Sequence, residues 1–301
     1  MKYFLIILVI SMVNNTVLFG NDKPENITVI KKQKRLNFFI SSKTRTFDPA
    51  MQSAQLQARL TSMVQKNFYC LIVQSVEELK SRILPILKRE NAMIGSIWFD
   101  SHGHFSRRYS SFETGKTEFS YAHIKDGTAE KALSFLVDFS DSLTTVGIGS
   151  CSGGASFTLP AIDEFGEQRM NGDSLTMGLG DILNGATVYS SESFVISKPG
   201  MFSNSYALAG FPIAKKFSDP IYKTVWQNVG RWNAYSKAAG YLRSIGTVSL
   251  DRKGNIHCQP VEYLASNRIK RKLAKKLMKL RNGNYNLALF YKAARLQEHF
   301  Q

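Results

Sequence analysis

The chain reads as an α/β protein: a parallel-rich sheet flanked by helices on both faces. Three observations predict this. Strand-like and helix-like signals alternate from residue 35 to about residue 190, as in a parallel sheet with crossover helices. At 301 residues and 44% hydrophobic content, the chain can bury the core of one large domain, or of one domain with an appendage. Two apolar runs stop on small polar residues and glycine, at 101–103 and 149–154, and in such sheets ligands sit at the carboxyl ends of strands.

The elements follow in order. RLNFFISS (35–42) is the first strand, and DPAMQSAQLQARLTSMVQKN (48–67) is a helix with Asp48 as N-cap, Pro49 at its first position and Leu56, Leu60 and Met63 at helical spacing. FYCLIVQS is a second, buried strand. The helix after it begins with a Ser75/Glu78 capping box and is expected to kink at Pro85. AMIGSIWFD is the third strand. A hairpin turning at Gly115, a helix from Thr128 to Leu143, a fourth strand TTVGIGS, a helix around SLTMGLGDILN and a fifth strand GATVYSS complete the alternation. From Ser197 the pattern loosens into a Pro, Gly and Ser-punctuated loop, and 221–246 reads as helical with a break near Gly230.

Lys2, the apolar run Tyr3–Val13 and the small Gly20 form a secretory signal over residues 1–20, followed by a polar leader to residue 34. The run is shorter than the roughly 20 residues that cross a bilayer, so the expected product is secreted or periplasmic, with no transmembrane segment. A formal charge of +16 favours acidic surroundings but selects no chemistry. Cys70, Cys151 and Cys258 allow at most one internal disulfide, which leaves a thiol available for reaction.

Chemistry gathers at two strand ends. Ser101-His102-Gly103 closes strand three with an imidazole beside a residue whose missing Cβ leaves its N–H open to a ligand. GIGSCSGG closes strand four with the Cys151 thiol. A thiol attacks as thiolate, and a neighbouring imidazole can hold its proton and return it to a leaving amine.

With these motifs the chain resembles the caspase-like cysteine peptidases, the group that includes legumain, clostripain, gingipains and metacaspases. There an apolar strand ends in His-Gly and the next major strand ends in a small residue and the nucleophilic cysteine, about 50 residues on. Here His102 and Cys151 are 49 apart. The resemblance covers roughly residues 35–200 and implies a caspase-like catalytic domain, with residues 201–301 as a loop and a helical, basic extension packed on it. It implies a cysteine endopeptidase acting through a thioester, with His102 and Cys151 catalytic, Gly103 and Cys151 N–H groups forming the oxyanion hole, and no cofactor. Phe194–Phe202 would rim the substrate pocket. Gly149-Ser150 stands where caspases have Gln-Ala, so aspartate specificity does not carry over. Lys43 and Arg45 after strand one, or Glu192, Ser193 and Phe194 after strand five, are the candidate specificity residues.

Other readings stay open. Cys70 within FYCLIV reads as a small buried hydrophobe. His104 reads as a loop histidine, and His123, His257 and His299 carry no ligand spacing, so no metal is expected. GDSL (172–175) imitates an esterase signature, but Asp173 or Ser174 as a helix N-cap accounts for it. GSCSG as a nucleophile elbow would make the chain an α/β-hydrolase with a cysteine nucleophile and His257 as base. Residues 267–283 carry Arg268, Lys270, Arg271, Lys272, Lys275, Lys276, Lys279 and Arg281 around an Ile269, Leu273, Leu277 and Leu280 stripe. That is a docked helix with a solvated basic face, or a contact for an anionic surface. A catalytically silent caspase-like module binding an acidic partner is the alternative to the enzyme.

Overall fold

Strand β1 (Arg35–Ser42) buries Leu36, Phe38 and Ile40 toward one side and Phe39 toward the other, which suits only the interior of a sheet covered on both faces. The computed structural model describes residues 33–43, 49–103, 109–156, 158–159, 168–192, 195–197, 207–208, 232–245 and 248–258, all within one compact unit, Gln33–Gln301. After β1 come helix α1 (Pro49–Val64), β2 (Phe68–Val73), α2 (Val76–Glu90) and β3 (Met93–Asp100). A hairpin of β4 (Ser111–Thr114) and β5 (Thr117–Ser120) leads into α3 (Tyr121–Lys125), α4 (Thr128–Leu133), a 3-10 turn (Ser134–Phe139) and β6 (Thr145–Gly149). The short pair β7 (Thr158–Leu159) and β8 (Gln168–Arg169) precedes α5 (Gly172–Ile182) and β9 (Thr187–Ser191). Beyond these lie β10 (Ile196–Ser197), β11 (Ala207–Leu208), β12 (Trp232–Ser236), β13 (Tyr241–Ile245), β14 (Val248–Leu250) and β15 (Ile256–Cys258).

The protein is α/β, with a mostly parallel central sheet flanked by helices. Its seven strands run in the order β13-β12-β9-β6-β3-β1-β2, with β2, β1, β3, β6 and β9 parallel and β12 and β13 antiparallel. From β1 the chain steps to one edge, and from β3 it steps to the other. The carboxyl ends of β1 and β3 therefore flank the crevice that such a reversal opens. One face packs under α2, α4 and α5 through Leu79, Ile83, Leu133 and Leu179. The other carries Phe39, Trp98 and Trp232 beneath Ala54 and Ala58 of α1. Full burial of each large side chain contributes about 1.5–3 kcal/mol.

Several expectations are corrected. The buried stripe of α1 is Met51, Ala54, Ala58 and Thr61, while Leu56, Leu60 and Met63 face solvent. Two small alanines let the helix lie close over Phe39 and Trp98, and close approach outweighs the bulk of the leucines. Residues 232–245, read as helical, instead form the β12–β13 hairpin. Trp232 to Tyr235 pair with Ser191 to Val188 of β9, and this tertiary pairing overrides the local helical pattern. The helix expected to run to Leu143 leaves α-geometry after Leu133 and continues as the 3-10 turn to Phe139. In α2, Ser75 Oγ accepts the N–H of Glu78 as expected, but the Glu78 carboxylate takes the N–H of Gln74. The signal segment and the basic run 267–283 lie outside the described residues. Among the described residues no helix is long and apolar enough to cross a membrane.

The amino-terminal end of the sheet is clamped by an ion pair. Arg35, the first residue of β1, grips Asp141 through Nη1–Oδ1 at 3.0 Å and Nη2–Oδ2 at 2.5 Å, joining β1 to the loop that enters β6. The Arg35 guanidinium holds the Asp141 carboxyl below its usual range. A depressed folded-state pKa gives stability that is present above the unfolded value of about 3.9 and is lost as pH falls through the folded value. We therefore expect Asp141→Asn to lower urea-unfolding stability by about 1 kcal/mol at pH 7, with the difference shrinking on acidification below pH 4.

Candidate active site

The register of β3 against β6 aligns the two strand-end motifs. Asp100 is paired with Gly149, so His102 and Cys151 each lie two residues beyond the last pair of adjacent parallel strands. The position of β6 is set by an indole: a Cβ at Gly147 would fall 2.6 Å from Trp98 Cζ3, and one at Gly149 would fall 2.8 Å from Cε2. Only glycines let β6 run across the Trp98 ring. Beyond the strands, Gly103 meets the backbone of Cys151 directly. A Cβ there would stand 2.7 Å from the Cys151 carbonyl carbon and 2.8 Å from its nitrogen. The missing side chain thus makes room for the cysteine's own main chain, where the sequence alone had pointed to an opening for ligand.

The loops are strapped from both sides. Ser101 Oγ accepts the N–H of Glu113 at 2.9 Å, and Ser150 Oγ donates to the Ser111 carbonyl at 2.8 Å, so the β4–β5 hairpin holds both motifs. Ser152, buried directly after Cys151, sits in the left-handed region at φ 57° with no hydrogen-bond partner for its hydroxyl among the described residues. A non-glycine residue there carries roughly 1–3 kcal/mol of strain, which the surrounding bonds must offset. Gly153 N–H donates to Ser150 O at 3.3 Å, Gly154 N–H to Ser191 O at 2.8 Å, and Asn233 Nδ2 to Gly154 O at 3.0 Å. The turn after the cysteine is therefore tied to β9 and β12 as well.

The sulfur itself meets a backbone group that sequence reasoning did not single out. Val195 N–H donates to Cys151 Sγ at 3.4 Å, and the thiol faces the Val195 carbonyl at 3.8 Å. Every residue but proline carries such a donor, so no sequence signal marks this one. Val195 does lie inside the 194–202 segment expected to rim the pocket. Cys151 is half-buried and His102 exposed, an arrangement a substrate can reach. None of the three cysteines forms a disulfide among the described residues. Burial pushes the Cys70 thiol up to about 12, which suits an inert core residue.

Of the expected specificity residues, Glu192 follows β9, the neighbour of β6, and is buried. Lys43 is exposed at the end of β1, one strand beyond β3, with its N–H donating to Val73 O. Arg45, His104, Ser193 and Phe194 lie outside the described residues. Asp100 is buried on the same face as Trp98 and accepts from Ser41 Oγ at 2.9 Å, and Gln55 of α1 donates to that hydroxyl. This polar contact bridges β1, β3 and α1 at the crevice mouth. The Ser-Asp-Gln combination spans 14 to 59 residues of chain and is invisible as a motif.

The esterase-like GDSL opens α5 as expected of a helix start, but Asn171 is the N-cap, and Asp173 in the first turn pairs with Arg169 of β8 at 2.8 Å. His257, the base required by the hydrolase alternative, is bound to Asp251 at 2.9 Å. The turn of its hairpin, residues 251–255, packs on the amino-terminal halves of β1 and β3 through Asn37 Nδ2–Lys253 O at 2.6 Å and Ser96 Oγ–Gly254 O. That is the far end of the sheet from Cys151. His123 accepts the Ser120 N–H at 3.2 Å and serves as a helix cap. Among the described residues no group of His, Cys, Asp and Glu is arranged to hold a metal.

Gly103→Ala should lower stability by about 1–3 kcal/mol, because its Cβ must displace the Cys151 backbone. The melting temperature, read alongside Gly240→Ala, strained by its positive φ in the β12–β13 turn, checks this. Only Gly103→Ala should also slow alkylation of Cys151.

A scan against models of known families and a search of curated proteins returned no match for this chain, so the reading of the site rests on its own residues.

Proposed function

We propose that the chain is an exported cysteine endopeptidase of caspase-like type, with a His102–Cys151 dyad. The observation that carries this reading is the juxtaposition of the two strand-end motifs: Asp100 pairs with Gly149, and Gly103 lies against the Cys151 backbone. The strand order supports it, because the crevice between the carboxyl ends of β1 and β3 lies beside the end of β6. So does the contrast between a half-buried Cys151 with an N–H aimed at its sulfur and a Cys70 thiol raised to about 12.

In this mechanism the Cys151 thiolate attacks the scissile carbonyl. The carbonyl electrons move to oxygen, where the N–H groups of Gly103 and Cys151 receive the negative charge. A backbone N–H such as that of Val195 favours the anionic form of the sulfur before attack. The intermediate collapses as His102, holding the proton taken from the thiol, delivers it to the departing amine, leaving a thioester on Cys151. Water, deprotonated by His102, then hydrolyses the thioester and restores the thiol. Glu192, directly after β9, and Lys43, directly after β1, are charged groups that would select the substrate side chain, one for basic and one for acidic residues.

Cys151→Ala and His102→Ala should each abolish hydrolysis of a peptide library while leaving the circular dichroism spectrum unchanged, and the double variant should lose little more. In parallel, iodoacetamide should alkylate Cys151 faster than Cys70 by at least a hundredfold, because the Cys70 thiol is protonated at neutral pH. Retained hydrolysis in either variant, or slow and equal labelling of the two thiols, refutes the enzyme and leaves the silent binding module.

A further inference from the structure

The end of the sheet opposite the strand-end motifs carries a second concavity. A half-open groove of about 780 Å³ lies at the amino-terminal ends of β1, β3 and β6, of a size that receives small ligands or a short peptide segment. Its lining mixes backbone and amides, with Gly95 in β3 and the Asn37 side chain turned to Lys253 O, and the apolar residues Phe68 and Ile256. Its walls differ in character. Val64 at the end of α1 and Leu143 before β6 form an apolar rim, 74% and 69% exposed. Lys66 and Lys253 stand over the groove with no salt-bridge partner among the described residues, and no carboxylate lines it. The third cation, Arg35, is already neutralised by Asp141.

The apolar rim does not stop at the groove. Leu56, Leu60 and Met63 continue it along α1, 59%, 40% and 81% exposed, because the alanine face of that helix is the one turned to the core. A run of large exposed side chains edged by cations marks a protein-binding surface. We propose that this groove and the adjoining α1 stripe form a docking site for an acidic segment of a partner protein. Its apolar side chains lie on Val64, Leu143 and Met63, and its carboxylates meet Lys66 and Lys253. The mixed lining selects this occupant. A nucleic acid would satisfy the lysines and leave the leucine and valine rim in water, and a purely apolar segment would leave two cations without a counter-charge. The site stands apart from the Cys151 reading and does not depend on it.

The test uses the full chain as Cys151→Ala, to exclude cleavage, and a fluorescein-labelled Glu/Leu peptide of ten residues read by anisotropy. Because the chain carries a net charge of +16, position is decided by paired charge reversals. Lys66→Glu/Lys253→Glu should weaken binding at least tenfold, whereas Lys80→Glu/Lys88→Glu on α2, which changes net charge equally, should weaken it less than threefold. Val64→Gln/Leu143→Gln should also weaken it about tenfold without lowering the melting temperature, since both side chains are exposed. Equal losses from the two charge reversals would assign the binding to the general field and overturn the site. An unchanged affinity in Val64→Gln/Leu143→Gln, together with equal capture of a labelled oligonucleotide, would replace it with a polyanion site. A sedimentation shift from dimer to monomer in that variant, with no peptide binding by the parent, would make the face a contact between two copies and overturn the proposal.

Discussion

No side chain fits between Gly103 and Cys151, and most of the site follows from that one contact. It fixes the distance between two loops that leave neighbouring strands, and it does so through main chain, which has few ways to relax. The contact is possible only because β3 and β6 are already in register, and the register is possible only because Gly147 and Gly149 accept the Trp98 indole. Three glycines and one tryptophan thus convert a generic parallel pairing into a specific approach of a histidine-bearing loop to a cysteine-bearing one. The hairpin bonds from Ser101 and Ser150, and those that tether Gly153 and Gly154, keep that approach from opening.

The strands and the two motifs were legible because their signals are local. RLNFFISS, FYCLIV and MIGSIWFD form strands within a residue or two of where the pattern puts them, since continuous apolar runs have no other stable home. What escaped the sequence depends on partners far along the chain. WNAYS and YLRSI look helical until β9 offers an edge to pair with. The exposed face of α1 was misjudged because leucine outranks alanine in hydrophobicity, while packing over an aromatic layer rewards the smaller residue. At the site, His102, Gly103 and Cys151 could be named in advance. The Val195 N–H and the Ser41–Asp100–Gln55 contact could not, because backbone donors and scattered polar residues carry no spacing.

The two ends of the sheet differ in how they treat charge. At the carboxyl end, carboxylates such as Asp100 and Glu192 are buried within the architecture. At the amino end, the partly exposed Arg35–Asp141 pair cancels its charge, and Lys66 and Lys253 face outward. Two buried carboxylates thus lie at the strand ends near the candidate nucleophile, while Lys66 and Lys253 at the opposite pole have no salt-bridge partner among the described residues.

The layer that positions β6 also has an optical consequence. Trp98 and Trp232 are fully buried with ring centroids 5.9 Å apart, and the indole N–H of Trp232 has no hydrogen-bond partner. They are two of the three tryptophans in the chain. These two indoles form one dry plane directly beneath the cysteine strand, and their emission should be blue-shifted and shielded from aqueous quenchers. Because the Trp98 ring lies against Gly147 and Gly149, a shift of β6 changes the surroundings of that indole, so the protein carries a built-in fluorophore for its own candidate centre.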